Sequence, residues 1–209
     1  MLCKQTKLWY NKGVEFNVPF LFLRIHLKNK GLLGIRNNFI NKNMWGGFTM
    51  NPIYEKLQSC VACVRAKTDF VPKVAIVLGS GLGDYAKDIE VVAEIDYSDI
   101  EGFPVSTVPG HAGKFIFGYV GSVPVVCMKG RVHYYEGYPI SDVVLPIRLM
   151  KLLGAEVLFL TNASGGINPG FSAGDFMLIE DHISCFAPNP LIGPNIDELG
   201  LRFPDMSHV

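Results

Sequence analysis

Lys73-Val74-Ala75-Ile76-Val77-Leu78 runs straight into Gly79-Ser80-Gly81-Leu82-Gly83. A short β-branched apolar run that ends in glycines reads as a buried strand delivering a turn. Where a helix start follows, the backbone N–H groups of such a turn approach an anion closely, and Ser80 adds a hydroxyl. The glycines alternate, so the turn does not fit the G-x-G-x-x-G dinucleotide fingerprint. It also lacks the Gly-Lys-Ser/Thr ending of a P-loop. Taken alone it is compatible with a phosphate cradle and with a plain tight turn.

The pattern recurs outward from that stretch. Residues 156–160 form a second apolar strand, and it too ends in a glycine turn, Thr161-Asn162-Ala163-Ser164-Gly165-Gly166. Upstream, Asn51 caps and Pro52 opens a helix in which Ile53, Leu57, Cys60, Val61 and Val64 recur at helical spacing to about residue 67. Residues 90–96 read as a strand. Residues 114–120 and 123–128, split by Gly121-Ser122, have the spacing of a two-residue hairpin. Residues 142–153 carry a helical stripe in which Pro146 must sit early or kink the helix, and residues 176–180 are one more strand. Strand, glycine turn and helix in alternation predict an α/β fold, with helices on both faces of the sheet and a ligand at the strand ends.

The second strand of the hairpin delivers Gly130-Arg131-Val132-His133-Tyr134-Tyr135-Glu136-Gly137-Tyr138. Arg131 offers a planar fork of donors that matches phosphate, and an extended backbone would send Arg131, His133 and Tyr135 to one face. That face would be positive and aromatic, suited to an anion and a sugar. The alternative reading is an Arg131–Glu136 pair on a solvated turn. His111, set in Pro109-Gly110-His111-Ala112-Gly113, is a second candidate ligand contact, or else a turn histidine.

Composition bounds the class. With 209 residues, 49% hydrophobic and 18% charged, a globular domain with one substantial core is expected. Net charge is zero overall, but residues 1–49 hold eight Lys or Arg against one Glu, a net of +7. This leader lacks sustained periodicity and its apolar patch is too short to span a bilayer. It is read as an atypical basic extension outside the fold, with nucleic-acid binding the lesser alternative. The five cysteines show no metal-type pair of pairs and no dense disulfide spacing, which suits a reducing cytoplasm. Cys60 and Cys63 sit in the helical pattern and are expected to pack rather than to do redox or zinc chemistry.

Seven blocks together carry a resemblance: GSGLG at 79–83, VPGHAGKF at 108–115, KGRVHYYEGY at 129–138, TNASGGIN at 161–168, EDHI at 180–183, NPLIGPN at 189–195 and RFPDMS at 202–207. In this order they resemble the trimeric, low-molecular-mass purine nucleoside phosphorylases, from about Met50 to Ser207, and the wording is closer to that branch than to the methylthioadenosine phosphorylases. The resemblance implies a mixed central sheet flanked by helices on both faces, incomplete at the C-terminus, with residues 50–209 as part of a single domain. It implies that Ser80, His111, Arg131, Val132, His133 and Ala163 surround phosphate, that Arg131 and His133 serve catalysis, and that Tyr135 and Phe203 contact ribose, Phe203 from a neighbouring subunit. It further implies a cytoplasmic homotrimer of purine salvage that uses phosphate as co-substrate, with no metal or organic cofactor and neither nucleic acid nor membrane as partner. The family's base-recognising groups lie downstream of RFPDMS, so the 209-residue product is expected to be poorly active, or a non-catalytic fragment.

Overall fold

The computed structural model describes residues 21–26, 50–106, 113–181, 183–184 and 187–205. Among these residues, seven strands form one sheet: β1 (Leu21–His26), β2 (Val74–Val77), β3 (Glu90–Asp96), β4 (Lys114–Val120), β5 (Val123–Lys129), β6 (Val157–Asn162) and β7 (Met177–Leu178). Their order is β3-β4-β5-β2-β6-β1-β7. The sheet is mixed: β2 lies parallel to both β5 and β6, whereas β3, β4 and β5 form an antiparallel meander.

Three helices accompany the sheet: α1 (Pro52–Arg65), α2 (Ile140–Val143) and α3 (Leu145–Leu152). The Asn51 side chain accepts the Ile53 N–H at 2.9 Å, so α1 starts where a capping residue followed by proline should start it. Leu57, Cys60 and Val64 then fall on one buried stripe. The helix expected over 142–153 is broken in two at Val144, with Pro146 in the first turn of α3. Proline has no N–H to return to residue 142, and its ring crowds that carbonyl.

Alternation along each strand divides the core. Ala75, Val77, Phe115, Phe117, Val126, Met128 and Leu158 face Leu57, Val64, Leu149 and Met150 of α1 and α3. On the reverse face Ile76, Leu78, Ile116, Val125 and Cys127 pack against Leu82, Ala86 and Ile89, around the 3-10 helix Gly83–Asp88. Because β2 is buried on both sides, it is apolar without interruption.

One expectation is corrected here. Residues 1–49 were expected outside the fold, but six of them form β1, hydrogen-bonded antiparallel to β6 and parallel to β7. The physical reason is that β6 offers a row of backbone donors and acceptors beyond β2, and the extended run Leu21–His26 pairs with them.

Register aligns the strand ends. Val77 pairs with Met128 on one side and with Leu160 on the other, so the parallel strands β5, β2 and β6 finish level. Their three outgoing loops therefore leave the same end of the sheet, where open α/β sheets bind ligands.

Candidate anion-binding site

The loop after β2 presses against the end of β6. Thr161, a buried polar residue, donates its hydroxyl to the Val77 carbonyl at 2.8 Å and accepts the Gly79 N–H at 2.9 Å. A β-carbon on Gly79 would lie 2.5 Å from the Thr161 carbonyl oxygen and 2.8 Å from Asn162 Cα, so only glycine fits there. Ser80 follows at the exposed rim. The next residue of the β6 loop, Ala163, is half-buried, and its carbonyl accepts from the Asn162 side chain at 3.1 Å.

The loop after β5 reaches across to the same place. Gly130 turns the chain at φ 83°, a conformation glycine adopts without strain, and its carbonyl accepts the Tyr97 hydroxyl at 2.8 Å. Arg131 then directs Nη1 to the Thr161 carbonyl at 3.4 Å and Nε to Nε2 of His133 at 3.2 Å. Its Nη2 is without a hydrogen bond, and no carboxylate pairs with it, among the described residues. Burial pulls the Arg131 pKa below its usual value, since desolvation disfavours the cation.

His133 is held from its other side. Its Nδ1 lies 2.7 Å from Oε1 of Glu136, and its backbone N–H donates to the same oxygen at 2.8 Å. Ser106 Oγ donates to Oε2 at 3.1 Å. The imidazole thus faces Arg131 through Nε2 and Glu136 through Nδ1. Tyr135 stacks on the imidazole, centroids 4.6 Å apart and planes 17° from parallel. His133 is extended, but residues Tyr134–Glu136 curl into a 3-10 turn rather than continuing as a strand.

Arg131, His133 and Tyr135 thus form one contiguous group, and Thr161 links Arg131 to the Gly79–Ser80 turn. Val132 points into the core at 3% exposure, leaving its backbone as its contribution to the loop. Phe203 is 87% exposed, with the Arg202 guanidinium 5.8 Å above its ring, and makes no contact with the Arg131 group. His111 lies outside the described residues. The alternative reading of Arg131 is not seen: Glu136 bonds His133, and its side chain is 3% exposed. Tyr97 and Ser106 were absent from the sequence reading, and Thr161 entered it only as the first residue of a glycine turn, whereas it lies in β6. Glu136 carries a local signal, three positions after His133 at the spacing of a capping box. Thr161 and Tyr97 carry none, because their partners are distant in sequence.

Chemically, a desolvated guanidinium without a carboxylate counter-ion among the described residues, beside an imidazole and linked through Thr161 to a glycine turn, suits a polyoxygen anion. Among the described residues no His, Cys, Asp and Glu cluster is arranged to hold a metal ion, and no helix is long and apolar enough to cross a membrane.

The chain is similar to known proteins over most of its length. The Phosphorylase superfamily profile matches residues 73–209. Purine nucleoside phosphorylase 1 of Geobacillus stearothermophilus is 50% identical over 151 residues, which are 72% of this chain and 55% of that protein. The purine nucleoside phosphorylase of Bos taurus is 46% identical over 167 residues, 78% of this chain and 56% of that one. Among solved structures, a purine nucleoside phosphorylase in complex with ribose-1-phosphate superposes with a TM-score of 0.62 at 35% identity, over 73% of this chain and 57% of that one. The Schistosoma mansoni enzyme in complex with inosine gives 0.60 at 34%, over 73% and 54%. The chain spans little more than half the length of these curated relatives.

Proposed function

Because this chain belongs to the Phosphorylase superfamily, we propose that its protein cleaves purine ribonucleosides and deoxyribonucleosides with inorganic phosphate, yielding free purine and (deoxy)ribose 1-phosphate. The observation that carries the proposal is Arg131: a half-buried cation with an unpartnered Nη2 among the described residues, at the meeting point of three loops. Relatives named for purine nucleosides, and solved neighbours holding inosine and ribose-1-phosphate, support this substrate class over methylthioadenosine.

In the reaction, the bond from the anomeric carbon to the purine nitrogen stretches and the sugar gains positive charge. A phosphate oxygen held beneath it forms the new C–O bond, and the departing nitrogen leaves with the electron pair and takes up a proton. Phosphate is both nucleophile and counter-charge, so the protein's task is to hold it in place. Arg131 would clamp phosphate oxygens through Nη2 and Nη1, His133 would contact the anion from beside it, and Ser80, His111 and the backbone at Val132 and Ala163 would complete the shell. Tyr135, 76% exposed over the imidazole, would meet the ribose. The bare ring of Phe203 suits a contact with a neighbouring subunit's sugar in a homotrimer. This chemistry asks for no metal and no organic cofactor, and it belongs to purine salvage in the cytoplasm.

The test is release of hypoxanthine from inosine by the full-length protein, with and without phosphate. Phosphate-dependent release with stoichiometric ribose 1-phosphate is expected. Release that ignores phosphate removes the proposal.

A further inference from the structure

Tyr97 touches none of the groups that would meet phosphate, yet it fastens the loop that carries the most important of them. It follows β3 and opens a 3-10 turn, and it is 1% exposed. Its ring packs edge-on to Phe115 at 4.9 Å and tilted against Phe103 at 5.0 Å. Its backbone N–H donates to the Gly113 carbonyl at 2.9 Å, and the ring lies where a side chain on Gly113 would be. From this fixed position the hydroxyl reaches the Gly130 carbonyl at 2.8 Å.

That carbonyl belongs to the peptide joining Gly130 to Arg131. Gly130 stands at φ 83°, in a region where glycine rotates with little penalty, so the residue alone does not fix the orientation of this peptide. The hydroxyl does. Burial also holds the phenol's pKa well above its ordinary value, which keeps the group a donor.

We propose that Tyr97 is a positioning residue: its hydroxyl locks the Gly130–Arg131 peptide and so aims the guanidinium at the anion, setting affinity for phosphate. The inference rests on the reading of Arg131 as the phosphate clamp. Removing the oxygen frees the peptide to rotate, and the bound geometry must then be selected from several.

The experiment is a calorimetric titration of inorganic phosphate into the full chain, with unfolding temperatures measured in its absence. Tyr97→Phe removes one oxygen and keeps the ring; it is expected to raise the phosphate Kd about tenfold, as for loss of one hydrogen bond. Phe115→Leu loosens the packing around the ring and keeps the hydroxyl; it is expected to lower the unfolding temperature and leave the Kd within about twofold. A Tyr97→Phe Kd within twofold of the parent overturns the proposal, as does a Phe115→Leu variant that weakens phosphate equally. A parent chain that binds no phosphate sinks the clamp reading itself, and this inference with it.

Discussion

One oxygen of Glu136, Oε1, accepts both from the ring nitrogen Nδ1 of His133 at 2.7 Å and from the backbone N–H of the same residue at 2.8 Å. The imidazole's orientation and the start of the 3-10 turn thus depend on a single carboxylate. Glu136→Gln keeps the shape but turns charge-assisted bonds into neutral ones, worth about 1 to 2 kcal/mol less. On the proposed activity, the expected result is a roughly 10-fold lower kcat/KM for phosphate in the full-length protein, with the KM for inosine little changed. Phosphate-saturation curves at fixed inosine check it; an unaltered curve would separate Glu136 from the site.

Arg131→Lys retains a positive charge but loses the planar fork that spans Thr161 and His133. A point charge cannot replace two directed donors, so the phosphate KM should rise by about 10- to 100-fold. Arg131→Ala should raise it further. Sulfate inhibition, measured alongside, should weaken in parallel, because the same donors would hold either anion.

Thr161 satisfies Val77 and Gly79 with one hydroxyl inside the sheet. Thr161→Val preserves volume and leaves the buried Gly79 N–H without its acceptor, at about 1 to 3 kcal/mol. Thr161→Ser, which keeps the oxygen, should cost less. Urea denaturation of the two variants checks the order, and equal stabilities would contradict the assigned bonds.

Gly79→Ala places a methyl against the backbone of Thr161 and Asn162, neither of which can give way as a flexible side chain would. Overpacking of this kind costs about 1 to 3 kcal/mol and pushes the Ser80 turn away from β6. Both stability and phosphate affinity should fall. A variant that keeps parental affinity would show that the turn's position is immaterial to the anion.

Alkaline pH tests the core of the sheet. Burial raises the Cys127 thiol from 9.0 to about 12. Below pH 9 the thiol is protonated in folded and unfolded chains alike, and its contribution to stability is fully present. Between pH 9 and about 12 only the unfolded chain ionises, so stability is lost as pH rises, at up to about 1.4 kcal/mol per unit. Unfolding free energy followed by urea titration should decline over this window. Cys127→Ala, though less stable at neutral pH, should decline less steeply.

How far this could be read from residues alone depended on the range of each interaction. The hairpin β4–β5 was legible because its two runs flank Gly121-Ser122, and the cap of α1 because Asn51 and Pro52 act on their immediate neighbours. The grouping of Arg131, His133 and Tyr135 was legible for the same reason, as a cation, an imidazole and a phenol within five positions. Glu136 entered only as the partner in the alternative reading of Arg131, since charge suggests that pair, whereas the 3-10 turn brings the carboxylate under His133. Thr161 is an ordinary strand residue until β2 is laid beside it, its partners lying 82 and 84 positions away. Likewise, nothing local in Leu21–His26 announces a place next to β6, because pairing at a sheet edge is decided by what the edge lacks.

The level finish of β5, β2 and β6 means that no contiguous peptide of modest length contains the anion cradle. Residues around 79, 131 and 161 meet only after two parallel crossovers have closed, a slow and long-range step in chain assembly. On the proposed reading of the site, affinity for a simple inorganic ion would be a gauge of completed topology: a proteolytic piece, a collapsed intermediate or a misregistered sheet would retain helices and hairpin yet be blind to phosphate.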